Sequence, residues 1–126
     1  MKGWLLLLWV SMALNSTTIL DNSTWTFKVS NGCVDVLKFK PNGRATNYDC
    51  ELDYTFNCTY VLRNDTLTVT EKDDSHSEDG GKVHYYRNKY LIRDNTLQAI
   101  AKGELVDHKW KDASIKDTKM NWQRKL

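Results

Sequence analysis

The stretch VDVLKFKPNGRATNYDC, residues 34–50, decides the fold of this chain. Residues 34–40 form a β-rich run, PNG supplies a turn, and residues 44–50 return. Asn-Gly between two such runs is a strong hairpin signal, because both turn positions accept a positive φ. A two-residue loop at Asn42 and Gly43 places Tyr48 opposite Leu37, on the same face of the sheet. The stretch therefore predicts a hairpin within an antiparallel β-meander.

Further short strands are predicted on both sides of this hairpin. They lie at residues 25–29, 55–62, 66–70, 82–86, 90–93, 97–101 and 120–124, with 82–86 and 90–93 forming a hairpin around Asn88. Residues 102–117 show too little apolar periodicity for a helix, although 107–110 fits a single turn. Short strands at spacings of ~8–12 residues are typical of a sandwich or barrel, and closure removes exposed edges. We expect an all-β chain, a single small antiparallel up-and-down barrel of about eight strands.

The first residues are typical of a secretory signal peptide. A positive head at Lys2 precedes an apolar run at 4–13, and Ser11 and Ala13 are the small residues that a signal peptidase reads. The run is shorter than the ~20 residues that span a bilayer, so no membrane span is expected. The predicted organisation is a signal peptide at 1–16, a loose lead-in at 17–23 and a barrel domain at 24–126. The mature protein is expected to be secreted or periplasmic.

Three cysteines fit an oxidising compartment and leave one unpaired. In the two-residue register Cys50 faces Asp35, so Cys33 lies one step diagonal to Cys50. A relaxed disulfide then requires a bulge, since the Cα atoms must come within roughly 7 Å. We favour Cys33–Cys50. A Cys50–Cys58 bond, or three buried thiols, stay open as alternatives.

Several short motifs resemble the small bacterial lipocalin-like (calycin-type) domains. Trp25, LKFKPNG at 37–43, CTY at 58–60 and NDTLTV at 64–69 follow the family's first-strand Trp, Phe-x-x-x-Gly hairpin and Tyr-x-x-x-x-Asp-Thr-Leu-x-Val strand pair. NTL at 95–97 and WQR at 122–124 are similar to its later strands. The resemblance implies that Arg124 of the closing strand lies over Trp25. Such a cation–π contact, worth about 0.5–2 kcal/mol, joins the first strand to the last.

The predicted barrel points to binding in its interior. A barrel of this size is either filled by side chains or holds one small ligand. We expect a non-enzymatic exported protein that binds a small apolar or amphipathic ligand. The alternative is a secreted protein-binding module or inhibitor that uses rim loops or residues 102–117 over a filled core. The expected ligand-binding residues of the barrel interior are Leu37, Phe39, Tyr48, Phe56, Tyr60, Leu67 and Val69.

Other chemistries find little support in the sequence. A net charge of +2 is too small to indicate nucleic acid as a partner. The sequence has no CxxC, His-Glu-x-x-His, Gly-x-Ser-x-Gly or glycine-rich phosphate motif. The segment DDSHSEDG at 73–80 offers oxygen ligands for Ca²⁺ but lacks the EF-hand order, so a solvated acidic loop is preferred. We expect no metal, no cofactor and no catalytic residue.

Four Asn-x-Ser/Thr sequons leave a third interpretation open. They begin at Asn15, Asn22, Asn57 and Asn64. In a eukaryotic or viral secreted protein they carry glycans, and the chain is then a glycosylated ectodomain. In a bacterial protein, which the resemblance favours, they are accidental.

Overall fold

The structure, a computed structural model, describes residues 19–75, 80–116 and 120–126. The predicted signal peptide lies outside these residues. Within them the chain forms nine β-strands, and no helix long and apolar enough to cross a membrane occurs there. The strands are β1 (Thr24–Ser30), β2 (Cys33–Lys40), β3 (Arg44–Asp49), β4 (Tyr54–Arg63), β5 (Thr66–Asp73), β6 (His84–Arg93), β7 (Thr96–Val106), β8 (Lys109–Ser114) and β9 (Asn121–Arg124).

The strands close into an antiparallel up-and-down barrel, which confirms the predicted fold class. Strands β1 to β7 each pair with the next, and β9 then bridges β7 and β1. Trp25 of β1 pairs with Arg124, and Leu97 of β7 pairs with Trp122. The extra strand, β8, pairs with the later part of β7, on the same edge that β9 uses. Thus β8 and β9 share the eighth position of the barrel, and β9 closes it.

One end of the barrel is sealed by the residues that precede β1. The β2–β3, β4–β5 and β6–β7 turns lie at this closed end, as the up-and-down order requires. Leu20 is 0% exposed and belongs to the hydrophobic core. The Asn22 amide donates to the Phe39 carbonyl at 2.9 Å, and the Ser23 hydroxyl accepts from Trp25 Nε1 at 2.9 Å. The expectation of a loose lead-in is therefore wrong for residues 19–23. Leu20 is the one buried apolar side chain among these residues, so no repeating pattern in the sequence indicates that it is buried.

The first hairpin has a three-residue loop, which corrects the predicted register. Lys40 pairs with Arg44, and both Asn42 and Gly43 take a positive φ, of 67° and 70°. The extra loop residue shifts the pairing by one position, so Asn47 lies opposite Leu37. A shift of one residue moves each side chain to the other face of the sheet. Tyr48 therefore lies on the outer face, where the sequence prediction placed it inside.

The second half of the chain corrects three further predictions. Residues 82–93 are not a hairpin around Asn88, because Asn88 continues β6, with β5 and β7 bonded on its two sides. Residues 107–110 are not a helical turn. Asp107 and His108 both take a positive φ and form the β7–β8 hairpin turn, as type I′ turns require. Asp73, the first residue of the predicted acidic loop, instead ends β5.

The disulfide joins Cys33 to Cys50, the pairing favoured from the sequence. The Cα atoms are 5.5 Å apart, within the normal range for a disulfide. Cys58 is a free thiol buried in the core. The bond ties the start of β2 to the β3–β4 turn at the end of the barrel opposite Leu20. This end is called the open end below.

Candidate functional site

Most inward-facing side chains at the open end remain partly exposed, with Asp73 as a buried exception, whereas at the closed end only Leu62 and Ile92 keep partial exposure. Strand pairing places one set of them on the inner face near the mouth. We call this set the cup; it consists of Phe27, Asp35, Asn47, Tyr54, Glu71 and Tyr86, all half-buried. The largest closed-end residues, such as Leu20, Trp25 and Phe39, are 0–1% exposed. The interior therefore changes from dry and apolar to solvent-accessible and polar along its length.

Asn47 and Glu71 form the polar centre of the cup. Asn47 Nδ2 donates to Glu71 Oε1 at 2.9 Å. Asn47 Oδ1 is buried and accepts no hydrogen bond from any residue that the structure describes. Burial raises the pKa of Glu71, and the charges of Asp73 and Asp49 act in the same direction, against Asn47 and Lys102. The pair thus places a carboxylate and a buried amide oxygen at the polar centre of the cup.

Asp35 adds a second carboxylate to the cup. Its Oδ1 accepts a hydrogen bond from the Cys50 amide at 2.8 Å, so the disulfide-linked turn fixes its position. Burial raises the pKa of Asp35 in spite of this hydrogen bond, and the charges of Asp49 and Glu51 raise it further. An ionised carboxylate here is poorly solvated and repelled by its neighbours. A cation in the cup relieves both penalties.

Aromatic rings form the apolar part of the cup. Phe27 packs against Trp122, with ring centroids 5.7 Å apart, and Tyr54 packs edge-on against Phe56 at 4.7 Å. The Tyr54 hydroxyl donates to Asp74 Oδ1 at 2.9 Å, which orients its ring at the rim. The cup therefore offers apolar ring surface beside acceptor oxygens.

Beneath the cup lies a buried layer that holds ordinarily reactive groups in their neutral form. Burial raises the pKa of the Cys58 thiol to about 12, and the nearby charge of Glu71 adds to the effect. Burial also raises the pKa of the Tyr90 hydroxyl, and the hydrogen bond from the Trp122 indole acts against it. A thiol with such a raised pKa is a poor nucleophile. Cys58 serves the packing of this layer.

The structure brings six of the seven predicted lining residues together, in the core below the cup. Each faces inward and is at most 6% exposed. They are Leu37, Phe39, Phe56, Tyr60, Leu67 and Val69. Tyr48 lies apart from them on the outer face, where its hydroxyl donates to Asp53 Oδ1 at 2.7 Å.

The polar cup residues were missed because the sequence prediction followed apolar side chains. Asp35 shares its face with Leu37, and Glu71 shares its face with Val69, so strict alternation contains the signal. The inward orientation of Asn47 could be predicted only with the correct register of the β2–β3 hairpin. Phe27 was recognisable as the second apolar residue of β1.

Arg124 lies over Trp25 at the join between the first and last strands. The guanidinium carbon is 5.8 Å from the centre of the indole ring, within the range of a cation–π contact. The two residues are also direct partners in the β1–β9 ladder. They belong to the closure of the barrel and lie away from the cup.

A metal centre is not formed by the described part of the chain. No group of three or more His, Cys, Asp or Glu side chains is placed there to hold an ion. Asp73 Oδ1 instead accepts hydrogen bonds from the Ser75 amide and hydroxyl, at 3.0 and 2.6 Å. Residues 76–79 of the predicted acidic loop, including His76, lie outside the described residues.

Comparison with protein-family models, curated proteins and solved structures found no match. The closed eight-strand antiparallel barrel is consistent with a calycin-like fold. The cup and the outer surface of the barrel are the features that bear on function.

Proposed function

We propose that this protein is a non-enzymatic, exported, lipocalin-like barrel that binds a small amphipathic molecule in the cup. The observation that carries the proposal is that all six cup residues are partly exposed, whereas the core beneath them is buried. An interior packed throughout would leave these side chains as dry as Leu20. Small-molecule sites commonly lie in the mouths of β-barrels and combine apolar surface with a few polar groups. The disulfide supports export, because such bonds persist in oxidising compartments.

The chemistry of the cup favours a ligand with a cationic or hydrogen-bond-donating head. Asn47 Oδ1 lacks a donor among the described residues, and Glu71 and Asp35 carry raised pKa values through burial. A primary amine donates hydrogen bonds and neutralises the carboxylates. The rings of Phe27 and Tyr54 provide the contact for its apolar part. The purely apolar lining expected from the sequence lies deeper, in packed core.

Calorimetric titration with three matched probes tests the proposal. These are n-octylamine, n-octanol and n-octanoate, which share one alkyl chain and differ in their head groups. The amine is expected to bind most tightly and the carboxylate least tightly. Glu71→Gln is expected to weaken amine binding by about tenfold, the loss of one charged hydrogen bond, and to leave alcohol binding nearly unchanged.

Asp65→Asn is the matched control. Asp65 lies exposed in the β4–β5 turn at the closed end, so removal of its charge leaves the cup contacts intact. Equal losses in the two variants would show that only the overall charge matters. Absence of heat with all three probes would refute the cup as a site for small amphipathic molecules.

A protein partner is the second candidate, and the position of β8 favours it. Residues 102–117, suspected as a protein-binding segment, form the end of β7 and the hairpin into β8. In the sheet order β8 stands last, with β7 as its single partner among the described strands. An extended peptide can add to such an edge through main-chain hydrogen bonds. Replacement of Ser114 by Pro would block this pairing without touching the cup, because the Ile115 amide bonds to β7 and the Ser114 amide, one residue earlier, faces the free edge.

A further inference from the structure

Charge is divided between the two faces of the barrel wall. At the outward-facing positions of β2 to β6 every charged residue is a lysine or an arginine. At the inward-facing positions of β2, β3 and β5 the charged residues are Asp35, Asp49, Glu71 and Asp73. The net charge of the chain is only +2, so the outer cations form a local field that composition does not reveal. A surface of one sign concentrates ligands of the opposite sign.

The outer cations border a continuous groove across β3 to β6. Two adjoining hollows, of about 360 and 310 Å³, share Thr59 and Thr70. We call them together the outer groove. Its cations are Arg44, Arg63, Lys72, Arg87 and Lys89.

One row of side chains crosses the outer groove from strand to strand. Arg44 pairs with Thr59, Thr59 with Thr70, and Thr70 with Arg87. Three strand spacings separate the two arginines, a backbone distance of roughly 14 Å. The row therefore has a cation at each end and two hydroxyl groups between them. A linear ligand lying across the strands meets these groups in sequence.

Arg87 is held in place from the neighbouring strand. Its Nε donates to Asp112 Oδ1 at 2.9 Å, its Nη2 contacts Asp112 Oδ2, and its guanidinium lies 4.5 Å from the centre of the Trp110 ring. Gly103 lies between Arg87 and Asp112 in the ladder, so no side chain blocks the contact. The position of the Arg87 guanidinium is thus fixed before any ligand binds, although Asp112 offsets part of the positive charge of Arg87.

We propose that the outer groove binds a linear anionic polysaccharide with sulfate or carboxylate groups. Charge complementarity requires an anion, and the separation of Arg44 from Arg87 requires a chain with repeated negative groups. Thr59, Thr66, Thr68 and Thr70 supply hydroxyls that both donate and accept, which suits sugar hydroxyls between the anionic groups. The proposal rests on the outer face and does not depend on the cup.

A polysaccharide fits the outer groove better than a nucleic acid. Single-stranded nucleic acids bind through several aromatic rings on which successive bases stack. Tyr85 is the one outward-facing aromatic residue among the groove residues. The Cys33–Cys50 disulfide also indicates an oxidising compartment, where anionic polysaccharides are accessible partners.

Binding to immobilised heparin across a range of salt concentrations tests the proposal. Wild-type protein is expected to be retained and to be released by dextran sulfate, but not by uncharged dextran. The triple variant Arg44→Gln/Arg63→Gln/Lys72→Gln is expected to bind at least tenfold more weakly. Its slope of log affinity against log salt is expected to fall by about one for each cation removed.

The matched control is Lys28→Gln/Lys116→Gln/Lys125→Gln. It removes the same charge from exposed residues outside the outer groove. It is expected to keep the wild-type affinity within about twofold, because each lost cation acts on bound anions only at short range. Equal losses in the two triple variants would overturn the assignment to the groove, and so would failure of wild-type protein to bind heparin.

One further variant and one further competitor test the position of the site and the class of its ligand. Thr70→Glu places a carboxylate in the middle of the row and is expected to abolish retention without the loss of any cation. A single-stranded oligothymidylate of equal charge is expected to compete poorly. Competition equal to that of dextran sulfate would overturn the polysaccharide assignment in favour of a nucleic acid.

Discussion

The carboxyl group of Glu71 links the stability of the barrel to pH. Burial raises its pKa above the ordinary value of 4.5, so the native state holds this proton more tightly than the unfolded chain. Its contribution to stability is therefore greatest below that value and declines as the pH rises toward the folded pKa. Glu71→Gln cannot ionise and keeps an oxygen for Asn47. Urea unfolding is expected to show this variant more stable than wild type near pH 7 and equal to it near pH 3.

Asp65→Asn again serves as the control, because Asp65 is exposed in the β4–β5 turn at the closed end. It should follow the wild-type curve of stability against pH. A Glu71→Gln variant that is less stable than wild type near pH 7 would contradict the described environment of this carboxyl group.

Gly103 is a second residue whose role can be isolated. A Cβ atom there would lie 1.8 Å from Asp112 Oδ1 and 3.2 Å from the Lys111 carbonyl oxygen. Gly103→Ala is therefore expected to displace Asp112 from Arg87 and to destabilise the wild type. In an Asp112→Ala background the same change meets no carboxylate, and the usual benefit of Ala over Gly should remain.

A double-mutant cycle by thermal unfolding measures this effect. We expect a coupling of about 1 kcal/mol between the two sites. Strictly additive effects would show that Gly103 is not needed for the contact between Arg87 and Asp112.

At the level of elements, residues 19–23 act as the seal of the closed end. Leu20→Ala leaves a cavity at the bottom of the core and is expected to cost about 2–5 kcal/mol of unfolding free energy. Ile19→Ala is the adjacent control, because Ile19 is 57% exposed and should change stability by less than about 0.5 kcal/mol. Chemical denaturation compares the two variants. Similar losses in both would contradict the seal.

The seam between β1 and β9 is the other element that decides closure. Arg124→Ala removes the contact with Trp25 and is expected to cost about 0.5–2 kcal/mol. Lys125 is exposed and contributes its backbone amide to Thr24, so Lys125→Ala should leave the melting temperature nearly unchanged. If the two variants have the same melting temperature, the contact between Arg124 and Trp25 does not stabilise the pairing of β1 with β9.

Elements with clear alternation or turn chemistry were predictable, and those set by tertiary contacts were not. Strands β1 to β5 follow from alternating residues and the turns at 41–43 and 64–65. The continuity of β6 through Asn88 depends on ladders to both neighbours, which local propensity does not report. The face of the sheet on which Tyr48 lies depended on one extra residue in the β2–β3 loop. Part of the polar cup was predictable, because alternation places Asp35 and Glu71 on the inner face, whereas the side of Asn47 depended on the register of the β2–β3 hairpin.

At the scale of the whole molecule, the barrel has a sealed apolar end, an open polar end and a basic outer face. The inward-facing carboxylates of β2, β3 and β5 lie at the mouth, and the charged residues at the outward-facing positions of β2 to β6 are cations. The ligands that we propose for the cup and the outer groove therefore carry opposite charge. The two sites can be tested independently, because Glu71→Gln alters the cup and the Arg44, Arg63 and Lys72 substitutions alter the outer groove.

Two-dimensional NMR of the ¹⁵N-labelled protein during titration with n-octylamine tests the open cup most directly. We expect shifts concentrated at the Asn47 side-chain amide and the backbone amides of Phe27, Tyr54 and Glu71. The signals of Leu20 at the sealed end and of Thr70 on the outer face should stay in place. Shifts centred on the outer groove, or no shifts at all at millimolar amine, would contradict this expectation.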